Sequence, residues 1–246
     1  MDDPTFEEIN GWSAEETRSR MAASPEAAAV ILRVSAEAGM VDAQALYGQI
    51  LLDGQGVPRD PAEALRWFAG AARAGHVMAM NMVGRCCEHG WGTRVDKALA
   101  ARWYRAAADR GLDWAQYNLA TLHCLGEGVE LDREEALRLY RSAADRGHAK
   151  SVTMIGGFHE DGWVVRKDMR LAADHYRRGA EAGDFRGQFN HARMLIDAGE
   201  IDVALHWLGK LPEKATPAFL SQVRGWLRGR AEPALNALAD RLANGT

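Results

Sequence analysis

The amino-acid sequence predicts an all-α protein, a right-handed α/α solenoid of stacked helical hairpins with a 36-residue period. Three observations lead there. The same residue types return at one constant interval. Each interval holds two amphipathic stretches divided by paired glycines. A chain of 246 residues that is 47% hydrophobic can also bury a substantial interior.

The repetition is plain when the segments beginning at Ala43, Ala79, Ala115, Ser151 and Gly187 are superposed. Small residues recur at Gly48, Gly84, Ala120 and Gly156, and loop glycines at Gly54, Gly90, Gly126 and Gly162. Aspartate follows at Asp60, Asp96, Asp132 and Asp168, then alanine at Ala64, Ala100, Ala136 and Ala172. A ring comes next, at Phe68, Tyr104, Tyr140 and Tyr176, and Gly75, Gly111, Gly147 and Gly183 close the units.

Each of these marks has a physical reason. In the third unit Ala115, Leu119, Leu122 and His123 fall at helical spacing and predict a first helix with one buried stripe. Gly126 and Gly128 end it, because glycine accepts the left-handed backbone that closes a helix. Asp132 supplies the next N-cap, Ala136, Leu139, Tyr140, Ala143 and Ala144 form the apolar face of a second helix, and Gly147 stops it. Such a hairpin cannot bury its apolar face alone and has to stack on its neighbours.

The run ALYGQILLDGQGVPRDPAEALRWFAGAARAG, repeated with variation through residue 183, resembles the Sel-one-like repeat (SLR) family, relatives of the tetratricopeptide repeat. The resemblance covers residues 43–186 and implies four clear repeats in an SLR/TPR-like superhelix. It also implies an interaction scaffold, with no particular partner. Outside that span the pattern wears down, as the ends of a solenoid should. Residues 24–39 fit a second helix and 6–21 a worn first helix, so 1–42 is expected to be a degenerate capping repeat. Residues 187–211 are expected to form a shortened fifth repeat whose interhelical loop contracts to 199–202. Pro212, Pro217 and Pro233 then punctuate capping helices over 212–246. No linker divides the chain, which is read as a single solenoid domain over 1–246.

Composition narrows the function classes. A net charge of -4 offers no bulk attraction to nucleic acid or to anionic lipid, so neither is expected as a partner. Cys86, Cys87 and Cys124 are odd in number and two are adjacent, which fits free thiols in a reducing compartment. Residues 1–10 lack the basic and apolar regions of a signal peptide, and no long apolar run occurs, so a cytoplasmic location is expected. Richness in Ala, Arg and Gly points to a bacterial source with a GC-rich genome. Neither a His-Glu-x-x-His helix, a Gly-x-Ser-x-Gly elbow nor a phosphate loop is present, and the reading is non-catalytic, without cofactor or metal.

Residues of the first helices that do not keep one chemical type form a stripe expected to line a concave surface. From it come the candidate partner-binding residues Met78, Asn81, Arg85, Trp114, Tyr117, Thr121, Thr153, Phe189 and Arg193. A bound protein or peptide would bury apolar groups on Trp114, Tyr117 and Phe189 and offer carboxylates to Arg85 and Arg193. The competing reading folds Trp114 and Tyr117 onto the adjacent helix. Trp91 and Trp163, in matching loop slots, are read first as plugs over helix ends and second as anchors. An alternative function treats Cys87, His123 and His159, which share one phase, as a metal-dependent sensor or enzyme. Packed helices stand about 8–10 Å apart and metal–ligand bonds span about 2 Å, which argues against that column converging on one ion. On the second helices Arg66, Arg102, Arg105, Arg138, Arg141 and Arg177 alternate with acids and read as a charge-paired convex face. A further alternative pairs the open ends in a homodimer; otherwise the chain is monomeric.

Overall fold

A computed structural model describes residues 3–242, which form fifteen α-helices and one 3₁₀ turn, with no strand among the described residues. Residues 1–2 and 243–246, the outer ends of the expected caps, lie outside the described residues. The helices are grouped in two compact units, divided after Asp132 within the third repeat. Both are built of helical hairpins, and the fold class is the α/α solenoid.

The first unit contains α1 (Phe6–Gly11), α2 (Ala14–Ala23), α3 (Pro25–Glu37), α4 (Val41–Asp53), α5 (Pro61–Arg73), α6 (Val77–His89), α7 (Lys97–Ala108) and α8 (Asp113–Leu125). From α2 to α8 each helix packs on the next. The expected worn helix over 6–21 is two helices. Thr5 and Glu8 cap α1 reciprocally, and eight residues later Ser13 starts α2 by accepting from the Glu16 N–H. The second cap competes with continuation of the first helix, and the chain turns at Trp12 in extended conformation.

The aspartate phase behaves as expected, since Asp60 accepts from the N–H groups of Ala62 and Glu63, and Asp96 from that of Leu99. The mid-helix glycines answer to packing. A Cβ on Gly84 would stand 2.6 Å from the Tyr104 ring, and one on Gly48 2.9 Å from Phe68. Glycine inside a helix costs about 1 kcal/mol, yet it lets each ring lie flush on the first helix, fully buried. In the loops, Gly92 has φ 71° and a Cβ there would meet the Pro61 carbonyl at 2.2 Å, so each loop rests on the first turn of the preceding second helix.

The second unit contains α9 (Arg133–Asp145), α10 (Ala149–Asp161), α11 (Met169–Glu181), α12 (Phe185–Asp197), α13 (Ile201–Gly209), a 3₁₀ turn (Leu211–Glu213), α14 (Pro217–Arg228) and α15 (Pro233–Arg241). Neighbours pack in order from α9 to α13, with Tyr176 of α11 against Gly156 of α10. At the loop phase of Gly92 stands Val164, with φ 52°. A β-branched residue in that region is strained, because its Cβ crowds the backbone. The α12–α13 loop is tighter than expected, since Ile201 and Asp202 already belong to α13. Val223 and Leu227 of α14 and Leu235 and Leu238 of α15 cluster with Ala192, Ile196, Ala204 and Leu208, burying the apolar faces of α12 and α13.

Candidate protein-interaction surface

Six of the nine candidate residues lie in the first unit. Its helices α6 and α8 are linked where the Asn118 amide donates to Asn81 Oδ1 at 3.0 Å. Asn81 is therefore a packing residue, only 3% exposed, and the expectation that it faces a partner is corrected. Met78 and Trp114, at one phase on the two helices, are 42% and 43% exposed. Tyr117 and Thr121 are half-buried, and the Thr121 hydroxyl donates back to the Tyr117 carbonyl. Two large apolar side chains are thus partly exposed at the same phase of the two helices.

Arg85, a turn further along α6, is half-buried and lies 4.9 Å from the centroid of the Trp91 ring. His89 covers that ring from 4.8 Å. Arg85 and Trp91, together with Gln49, Leu52, Asp53 and Arg59, line an open cavity of about 310 Å³. Sequence reasoning singled out Arg85 and Trp91 separately but not Arg59 or the cavity. The only signal was that position 59 is not tied to one residue type, being Val95, Leu131 and Lys167 in later repeats.

The three candidates in the second unit are engaged inside it. Thr153 is 4% exposed, because Gly179 and Gly187 bring two backbones so close that a Cβ on either would stand 2.3 or 2.7 Å from its hydroxyl. Phe189 packs edge-on against Phe219 and Trp226 of α14, at 5.7 and 5.2 Å. Arg193 donates to Glu160 Oε2 at 2.6 Å, and the Tyr176 hydroxyl donates to the same oxygen at 2.7 Å. Burial raises the Glu160 carboxyl, but those two donors outweigh it and hold it below its ordinary value. These three residues serve contacts within the unit, a correction to the expected stripe whose cause is contact with following helices for Thr153 and Phe189 and with Glu160 of the earlier α10 for Arg193.

The histidine column has other occupations. His123 Nε2 receives Arg105 at 3.1 Å; guanidinium only donates, so the ring proton sits on Nδ1 and points at the Glu130 carbonyl, 3.2 Å away. Burial raises the Cys87 thiol, as it does the adjacent Cys86, pushed up to about 12, which keeps both protonated. His159 stacks on His175 with centroids 5.7 Å apart, and burial depresses the His175 imidazolium. Among the described residues no group of three His, Cys, Asp or Glu side chains is placed to hold a metal ion. Trp163 packs on Phe158 at 5.7 Å beneath the Arg133 guanidinium, the counterpart of Trp91 under Arg85. On the second helices Arg138 meets Glu135 at 2.6 Å, and Arg177 meets Asp174 and Glu181. No helix among the described residues is long and apolar enough to cross a membrane.

Stacked hairpins of this form define a helical-repeat protein. The sequence matches the Sel1 repeat over residues 41–76, 77–112, 115–148 and 149–184, more than half of the chain, and the protein belongs to the Sel1 repeat family. A Sel1 repeat protein from Oxalobacter formigenes is similar in structure, with TM-score 0.79 and 26% identity over 94% of this chain and 98% of that one. The protective antigen c5321 of uropathogenic Escherichia coli, which displays an SLR fold, has TM-score 0.67 and 25% identity over 90% of this chain and 49% of its own. Protein 5086 of Pseudomonas aeruginosa, at 16% identity and TM-score 0.54 over 85% of this chain and 83% of its own, shares the fold. No curated protein matches the sequence. Sel1 repeat proteins are generally protein-interaction scaffolds.

Proposed function

We propose that this protein is a non-catalytic adaptor that holds a protein or peptide partner on the first-helix surface of its first unit, around Met78, Trp114, Tyr117 and Thr121. The observation that carries the reading is the pair Met78 and Trp114, each more than two-fifths exposed at one phase of adjoining helices. Large apolar groups grouped in water are destabilising unless a second surface covers them, and tryptophan contributes more binding energy than most residues when it is covered. The half-buried Tyr117 and Thr121 lie on the same helix, one and two turns beyond Trp114.

The double variant Met78→Ser, Trp114→Ala tests this. Both side chains are more than two-fifths exposed, and the helical spectrum of the double variant checks that the fold persists. Capture of a defined partner from lysate should fall at least tenfold, equivalent to about 1.4 kcal/mol. Undiminished capture by the folded double variant would move the interaction to the loops or the second helices.

A further inference from the structure

We infer that the cavity at Arg85 receives an aspartate or glutamate side chain of the partner, so that the first unit reads an acidic peptide segment; this deepens the adaptor reading above and rests on it. The molecule's own repeat supplies the argument. Arg193 stands three periods after Arg85, at the same phase, and shows what an arginine there does when a carboxylate lies one repeat back: it donates to Glu160 at 2.6 Å. One repeat back from Arg85, at the phase of Glu160, stands Leu52, which is buried and cannot accept.

Asp53 is the acid among the residues that line the cavity, and Glu88 lies outside that lining. Glu88 accepts from the Tyr104 hydroxyl at 2.5 Å, and Asp53 accepts from the Gln49 amide at 2.7 Å. Among the described residues Arg85 has no ion pair, only the Trp91 face at 4.9 Å and the Met82 sulfur at 3.8 Å. Stacking on a ring leaves the in-plane N–H groups of a guanidinium open, and those are the groups that bind a carboxylate two at a time. Arg59 lines the same cavity and spends only its Nε–H, on the Leu52 carbonyl at 2.9 Å. Two guanidinium groups therefore line the cavity beside the Asp53 carboxylate, with N–H groups left to take an incoming one. Thr121 and Gly157 occupy the arginine phase in the two intervening repeats, which confines this recognition to the cavity between α4 and α6.

A library of random dodecapeptides, acetylated and amidated so that side chains carry the only carboxylates, is equilibrated with the full chain at low salt. Retained peptides should share an Asp or Glu whose replacement by Asn or Gln weakens binding at least tenfold. Arg85→Gln, with helicity and melting matching the parent, should weaken binding equally and make the acid-for-amide exchange silent. Leu52→Glu should do the same by supplying the acid from within. Retained peptides that tolerate the exchange, or an Arg85→Gln chain that still discriminates, would overturn the inference. Trp114→Ala should weaken every retained peptide, acidic or not, and that loss reports on the adaptor reading alone. A chain that retains no peptide overturns the acidic segment as ligand, while the capture test with Met78→Ser, Trp114→Ala decides the adaptor reading separately.

Discussion

Arg85 in the first unit and Arg193 in the second occupy one phase of the repeat, and the residue one repeat back differs between them. Glu160 stands one repeat before Arg193 and pairs with it at 2.6 Å, with both side chains less than a quarter exposed. Leu52 stands one repeat before Arg85, which lies on Trp91 at the mouth of a cavity instead. Repeat phase fixes where a side chain points; the residue one period back decides whether it belongs to the fold or to the solvent. The second unit has absorbed its arginine into packing, and the first presents it.

The largest effect tests what the two units share. Gly84→Leu and Gly156→Leu would each force a side chain into a buried tyrosine ring, where a Cβ alone already stands 2.6 and 2.8 Å away. Each should destabilise its unit by about 3 kcal/mol in urea unfolding, since overpacking of a filled core is not relieved by small shifts. Equal tolerance in both would mean that the rings do not seat the first helices.

The next prediction separates the units. Arg193→Gln leaves Glu160 without its charged donor and should cost about 1–2 kcal/mol, measured by the same unfolding. Arg85→Gln breaks no ion pair and should cost less than about 0.5 kcal/mol. A similar loss from both would erase the contrast.

Acid should also weaken the second unit. Burial depresses His175 below its ordinary value of 6.5, with Arg178, His159 and Arg141 acting in the same direction and Asp174 opposing them. Burial depresses His191 as well, aided by Arg177 and opposed by Glu181 and Glu200. Depressed imidazoles bind protons more readily in the unfolded chain, so stability is full above pH 6.5 and declines as pH falls below it. Glu160, held below 4.5, adds a second decline only when pH drops beneath that value. His175→Asn should shrink the first stage in a pH series of urea midpoints to the share of His191 and leave the second. An unchanged first stage would assign it to other groups.

The smallest effect concerns Val164. Replacing it with glycine removes a β-branched side chain from φ 52°, a strain of about 1–2 kcal/mol, against a backbone entropy cost of about 0.5–1 kcal/mol. Val164→Gly should therefore raise stability by about 0.5 kcal/mol. A loss would mean that the valine makes packing contacts worth more than its strain.

What was legible in the sequence follows the same division. Periodic features carry their own reason, and the aspartate caps at Asp60, Asp96 and Asp168, the rings on glycine and the hairpin order were all readable from spacing. Caps supplied by His76 and His148 were not, because histidine at the first-helix N-terminus alternates there with leucine and aspartate. The stripe of variable residues was legible as a stripe, yet variability does not distinguish a residue facing water from one facing a neighbour. Asn81 meets Asn118, Thr153 lies under two glycine backbones, and Phe189 lies under helices that follow no repeat. Those partners sit on other helices, 26 to 37 residues away, so spacing within one helix could not announce them. The break at Trp12 was missed for a local reason, two competing caps eight residues apart.

Arg85 has no ion pair among the described residues, and a double-mutant cycle between Leu52→Glu and Arg85→Gln measures directly whether it takes a carboxylate. Urea unfolding of the parent, the two single variants and the double variant should yield a favourable coupling of about 1 kcal/mol, the signature of the pair that Glu160 and Arg193 already form. A coupling of zero, with all four chains folded, would show that the guanidinium cannot reach an acid at that phase, and the contrast between the two units would lose its meaning.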